Sequence, residues 1–98
     1  MEQKDYYETL ELSGSADVKQ IRDAYRRLAL LHHPDRNPNS PDAAERMKAI
    51  NEAYAVLSDP VKRREYDTLK TTYGSSAYGR YRQTHTDQDI FKWLAANF

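Results

Sequence analysis

Four prolines, Pro34, Pro38, Pro41 and Pro60, cut the first seventy residues into pieces of helix length, and they constrain the fold more than any other feature. A proline has no N–H and crowds the residue before it, so none of the four can sit in a helix interior. The pieces between them carry a helical rhythm. Val18, Ile21, Tyr25, Leu28 and His32 fall at steps of three and four, which gathers them on one stripe that Ala24 and Leu31 widen. The spacing predicts a helix over 16–32, capped by Ser15 and stopped by Pro34. Met47, Ile50, Tyr54 and Leu57 repeat the rhythm after Ser40-Pro41-Asp42, a start signal made of an N-cap, a first-turn proline and an acid at the positive helix end.

Two short helices flank this pair. Asp5 and Glu8 have capping-box spacing, with Tyr6, Tyr7 and Leu10 on one side of a first helix. Ser13-Gly14-Ser15 reads as a turn, and residues 36–40, with two Asn and Pro38, as a loop. Ser58-Asp59-Pro60 opens a last helix with Tyr66 and Leu69 facing inward. The expected fold is all-α: two long antiparallel helices with facing stripes, closed by two short ones, over residues 1–70. Residues 71–85, poor in aliphatic side chains and punctuated by Gly74 and Gly79, read as a flexible linker. Thr86 could cap a short amphipathic helix over 86–98 that carries Ile90, Phe91, Trp93, Leu94 and Phe98. No internal repeat is visible.

Composition narrows the function. The 98 residues carry 15 Lys+Arg and 15 Asp+Glu, a formal net charge of zero, which argues against a dedicated nucleic-acid binder. There is no cysteine, so disulfides, a thiol nucleophile and Cys-based zinc sites are excluded. The longest apolar run, Leu28-Ala29-Leu30-Leu31, is too short to span a membrane, and Glu2-Gln3-Lys4-Asp5 is no signal peptide. The expectation is a cytoplasmic chain.

The charges are unevenly placed. Lys19, Arg22 and Arg26 form a ridge beside the apolar stripe of the second helix, with Arg27 on its flank. A charged ridge is most often a solvated face. Three bases along one helix are also a landing strip for an acidic protein surface. A helix-turn-helix reading fails, because the loop between the long helices is too long and Asp23 breaks the ridge.

Where that helix ends stands His33-Pro34-Asp35, a tripeptide that arises by chance on the order of once in 10⁴ positions. Chemical readings of its residues fail on geometry. Adjacent His32 and His33 point a quarter turn apart, and His85 lies in the linker, so no three-ligand metal set exists. A His33–Asp35 general base would need a nucleophile and a pocket. His32, Tyr25 and Tyr54 fall on the stripes as core or core-edge residues.

The pattern resembles the J-domains of DnaJ-type co-chaperones. The matching residues are Asp5-Tyr6-Tyr7-Glu8 with Leu10, then Ile21-Arg22, Ala24-Tyr25-Arg26-Arg27-Leu28-Ala29 and His33-Pro34-Asp35-Arg36-Asn37. Ile50-Asn51-Glu52-Ala53-Tyr54, Val56-Leu57-Ser58-Asp59, Arg63, Arg64, Tyr66 and Asp67 complete them. The resemblance implies a module that docks on an ATP-bound DnaK-type chaperone of the seventy-kilodalton heat-shock class. It stimulates that partner's ATP hydrolysis, so that a client polypeptide is captured, and is no enzyme itself. It needs no cofactor or metal. Lys19, Arg22, Arg26 and Arg27 would meet an acidic partner surface, and His33, Pro34 and Asp35 would act at the partner's interdomain junction, with Arg36 and Asn37 as further partner-binding residues. The alternative is a docking or scaffold module that stimulates nothing.

Departures from the family pattern are Glu11 where glycine is usual, Leu31 where a base is common, Asp23 within a stretch often basic, and His32 and Met47 where tyrosine and phenylalanine are common. The segment after Lys70 is similar to family linkers in which a short helix folds back. On that likeness Asp89, Ile90, Phe91 and Leu94 would make self-inhibitory contacts. The other reading is a linker end whose partner lies elsewhere. The chain is expected to be a monomeric fragment of a longer co-chaperone, with client binding in other parts.

Overall fold

The computed structural model describes residues 5–84, which are helical with no strand among them. Helix α1 spans Tyr6–Thr9, α2 Val18–His32, α3 Pro41–Leu57, α4 Pro60–Tyr73 and α5 Ala77–Thr84, with a 3-10 turn at Gly74–Ser76 between the last two. Sequence rules explain most of the ends. The Asp5 carboxylate accepts from the Glu8 N–H, the Ser40 hydroxyl from the Ala43 N–H, and Asp59 from the amides of Val61 and Lys62. Helix α2 starts two residues later than the Ser15 cap predicts. Asp17 caps it instead, in a reciprocal box in which Asp17 accepts from the Gln20 N–H and the Gln20 side chain accepts from the Asp17 N–H. That box satisfies two orphan amides at once, whereas the Ser15 hydroxyl turns to Ser13.

Helices α2 and α3 run antiparallel. Val18 shares a groove with Leu57 at one end, Tyr25 stacks on Tyr54 with centroids 4.1 Å apart in the middle, and His32 lies beside Arg46 and Ile50 at the other end. Ile21, Ala24 and Leu28 bury against Ile50, Ala53, Val56 and Leu57. Burying each large aliphatic side chain contributes about 1.5–3 kcal/mol, so this seam dominates the stability of the pair. Two residues assigned to the α2 stripe are not in it. Val18 is 62% and Leu31 58% exposed. At about 3.6 residues per turn they lie on opposite edges of the stripe, where solvent reaches them.

The segment read as a flexible linker is helical as far as Thr84. Helix α4 continues three residues past Lys70, ends on Gly74 at φ 61, and α5 folds back onto the core. Ala77 and Tyr81, four residues apart, are both buried. The Tyr81 ring meets Tyr6 and Tyr66 edge-on, with centroids 5.9 and 5.8 Å away, and Tyr78 packs on Tyr6 at 4.9 Å. Edge-to-face aromatic contacts add to area burial. The core therefore reaches Tyr81, beyond the expected boundary at residue 70.

A polar staple joins α1 to α4. Arg63 donates to the carbonyls of Ala16 and Gly14 at 2.6 and 3.3 Å and to the Tyr7 hydroxyl at 3.1 Å. Tyr7 in turn donates to Asp67 at 2.5 Å, and Lys70 pairs with Asp5 at 2.7 Å. Burial, and then the hydrogen bond to the Asp67 carboxylate, push the Tyr7 phenol up to about 12. The hydroxyl stays protonated and keeps donating across the whole neutral range.

Glu11 follows α1 at φ 61, in the left-handed region where a Cβ crowds the carbonyl, and its N–H bonds to the Glu8 carbonyl. Glu11→Gly is expected to stabilise the fold by about 1 kcal/mol, strain relief exceeding the flexibility added to the unfolded chain. That corresponds to a rise in Tm of roughly 4–8 °C. Thermal unfolding checks it, and an unchanged or lower Tm would show that the turn stores no strain.

Candidate docking site at the end of helix α2

The outer face of α2 carries the expected ridge, with one member engaged. Lys19 pairs with Asp23 at 3.1 Å, one turn on. Arg22, Arg26 and Arg27 are exposed. On the helix Arg22, Arg26 and His33 follow at steps of four and seven, so the ridge leads straight to the tripeptide.

The loop is built by backbone accounting. His33 is the C-cap of α2 at φ −63 and ψ 138, the extended conformation that a residue before proline prefers. The amides of Arg36 and Asn37 both donate to the His33 carbonyl, at 3.0 and 3.1 Å, and the Asp35 N–H donates to His33 Nδ1 at 3.1 Å. The last carbonyls of a helix lack intrahelical partners. Here the Asn37 side-chain amide donates to the carbonyls of Leu31 and His33 at 2.9 and 3.1 Å, and the Arg36 guanidinium to that of Leu30 at 3.4 Å. Asn37 and Arg36, grouped with the contact residues from sequence, thus hold the loop against α2. Asp35 does the opposite: its side chain is 91% exposed.

Sequence reasoning missed Leu30. It is 62% exposed, one turn after Arg26 and three residues before His33. The signal was the run Leu28-Ala29-Leu30-Leu31, since four successive apolar residues cannot all face one seam. The ridge thus turns from basic to apolar just before the tripeptide. His32 is half-buried at the α2–α3 edge, as its place in the stripe predicts.

No group of three metal-ligating side chains occurs among the described residues, and no described helix is long and apolar enough to cross a membrane. Asp89, Ile90, Phe91 and Leu94 lie outside the described residues.

A scan against protein families matches residues 5–67 to the DnaJ domain. The chain belongs to the DnaJ-domain family. It is 59% identical over 95 residues to the chaperone protein DnaJ of Nitratiruptor sp., covering 96% of this chain and 25% of that protein. With the chaperone protein DnaJ of Chlorobium limicola it shares 49% over 94 residues, 90% of this chain and 23% of the relative. The chain thus spans about a quarter of the length of these relatives. Among solved structures, the crystal structure of the J-Trx1 fragment of ERdj5 is similar at a TM-score of 0.64 and 42% identity, over 74% of this chain and 33% of that one. The DnaJ-domain match ends at Asp67, so α5 lies beyond it.

Proposed function

We propose that this DnaJ domain is the docking module of a co-chaperone that engages an ATP-bound DnaK-type chaperone and accelerates its ATP hydrolysis. The observation that carries the reading is the outward Asp35 carboxylate at a corner fixed by Pro34, reached along a ridge of exposed arginines. Arg22, Arg26 and Arg27 steer an acidic partner surface onto α2, an interaction that speeds encounter more than it adds affinity. Leu30 supplies apolar area where the ridge meets the loop. Asp35 then pairs with a partner arginine, whose planar fork matches a carboxylate in bidentate fashion. Docking shifts the partner toward its hydrolysing state to the extent that the module binds that state more tightly. The chain makes and breaks no bonds itself, and client binding belongs to other parts of the whole protein.

Single-turnover ATP hydrolysis by a DnaK-type chaperone tests the reading. Addition of the chain is expected to accelerate hydrolysis, with the effect falling as salt screens the ridge. His33→Gln is expected to stimulate at least about fivefold less than the unmodified chain. Binding without acceleration by the unmodified chain would leave a docking module in place of a stimulator.

A further inference from the structure

The His33 ring is engaged with its own loop. Nδ1 lies 3.1 Å from the backbone N–H of Asp35, two residues on, and 3.6 Å from the Asp35 carboxylate. A ring nitrogen that accepts from an amide has its lone pair free, so the ring proton of the neutral imidazole sits on Nε2. A protonated Nδ1 would face the Asp35 N–H donor to donor and turn to the carboxylate 3.6 Å away. The two states aim Asp35 differently. In the first its amide is held and its carboxylate is free for a partner. In the second the carboxylate is taken up inside the loop.

We infer that His33 is a positioning residue for Asp35, in which Nδ1 of the neutral Nε2–H tautomer pins the Asp35 amide and so presents the carboxylate outward. The role rests on the docking reading above. The loop's donors support it. Pro34 has no N–H, and the amides of Arg36 and Asn37 go to the His33 and Pro34 carbonyls. The ring is what receives the Asp35 N–H and closes the turn. The contact, from a side chain to the amide two residues on, is that of an Asx turn with imidazole in place of carboxamide. Charged groups on the neighbouring elements are otherwise occupied or distant. The Arg36 guanidinium is on the Leu30 carbonyl, Asp42 and Arg46 of α3 pair with each other at 3.4 Å, and Arg26 lies two turns back on α2.

Two substitutions separate the ring nitrogens. Asparagine carries its side-chain oxygen as many bonds from Cα as Nδ1, and glutamine one bond further, at the place of Nε2. His33→Asn is expected to keep the Asp35 amide hydrogen-bonded and to stimulate a DnaK-type chaperone within about threefold of the unmodified chain. His33→Gln, losing a bond of about 1 kcal/mol, is expected to fall by at least about fivefold. The reverse order would assign the work to Nε2 and overturn the role. Long-range proton–nitrogen correlation spectra of the unmodified chain read the tautomer directly, and a protonated Nδ1 in the neutral ring would also overturn it. If the unmodified chain never stimulates, the docking reading fails and takes the role with it. An active chain with Nδ1 protonated removes the role alone.

Discussion

Asp35→Asn is expected to abolish acceleration of a DnaK-type chaperone's ATP hydrolysis while leaving the fold untouched. The side chain is 91% exposed, so the substitution removes a charge and buries nothing. The bond that shapes the loop is donated by the Asp35 backbone N–H and survives the change. On the proposed docking, the change removes one half of a charge-assisted, bidentate contact with a partner arginine and leaves the partner group unpaired. Such a truncation costs about 2–5 kcal/mol, a factor of roughly 30 to several thousand in the stimulated rate at limiting concentration. Single-turnover hydrolysis measures it, with amide spectra confirming that Arg36 and Asn37 still bond to the His33 carbonyl. A variant that stimulates within about twofold of the unmodified chain would show that the carboxylate is not the contact. The ridge behaves differently. Arg26→Ala removes an exposed charge, so it acts on association rate and salt dependence and leaves the loop as it is.

The contrast between ridge and loop explains what could be read from the residues alone. The long helices were legible because their stripes obey the helical period over four or five members, from Ile21 to His32 and from Met47 to Leu57. Period alone blurs the edges of a stripe, which is why Val18 and Leu31 were placed inward. The tripeptide was legible because Pro34 dictates a break wherever it stands. The inward turn of Arg36 and Asn37 was not, since polar loop residues look the same whether they meet a partner or the helix's own last carbonyls. The orphan carbonyls of α2 were predictable, and an asparagine six residues after Leu31 is a fitting donor. The cap of α2 was legible too, in Asp17 and Gln20 at box spacing, but Ser15 after glycine drew the assignment. Arg63 and Asp67, which entered only through the family resemblance, gain a physical reason in the staple on Tyr7.

Helix α5 was illegible for a different reason: its partners are far away in sequence. Ala77, Tyr78 and Tyr81 span little more than one turn, too short for a periodic signal. Their worth depends on Tyr6 and Tyr66, which α1 and α4 bring together. Tyr81→Ala measures how much that docking contributes. Tyr81 is fully buried against two rings, and deleting a buried aromatic side chain costs about 3–5 kcal/mol. In a domain whose total stability is about 5–15 kcal/mol, that lowers Tm by roughly 12 °C or more. If residues 77–84 were a loose linker, the same change would shift stability by under about 0.5 kcal/mol. Thermal unfolding of the two chains separates these outcomes. A chain ending at Lys70 lacks Ala77, Tyr78 and Tyr81 and uncovers Tyr6 and Tyr66. Its activity must be compared at matched folded fraction, because a less stable module loses stimulation with every docking residue still in place.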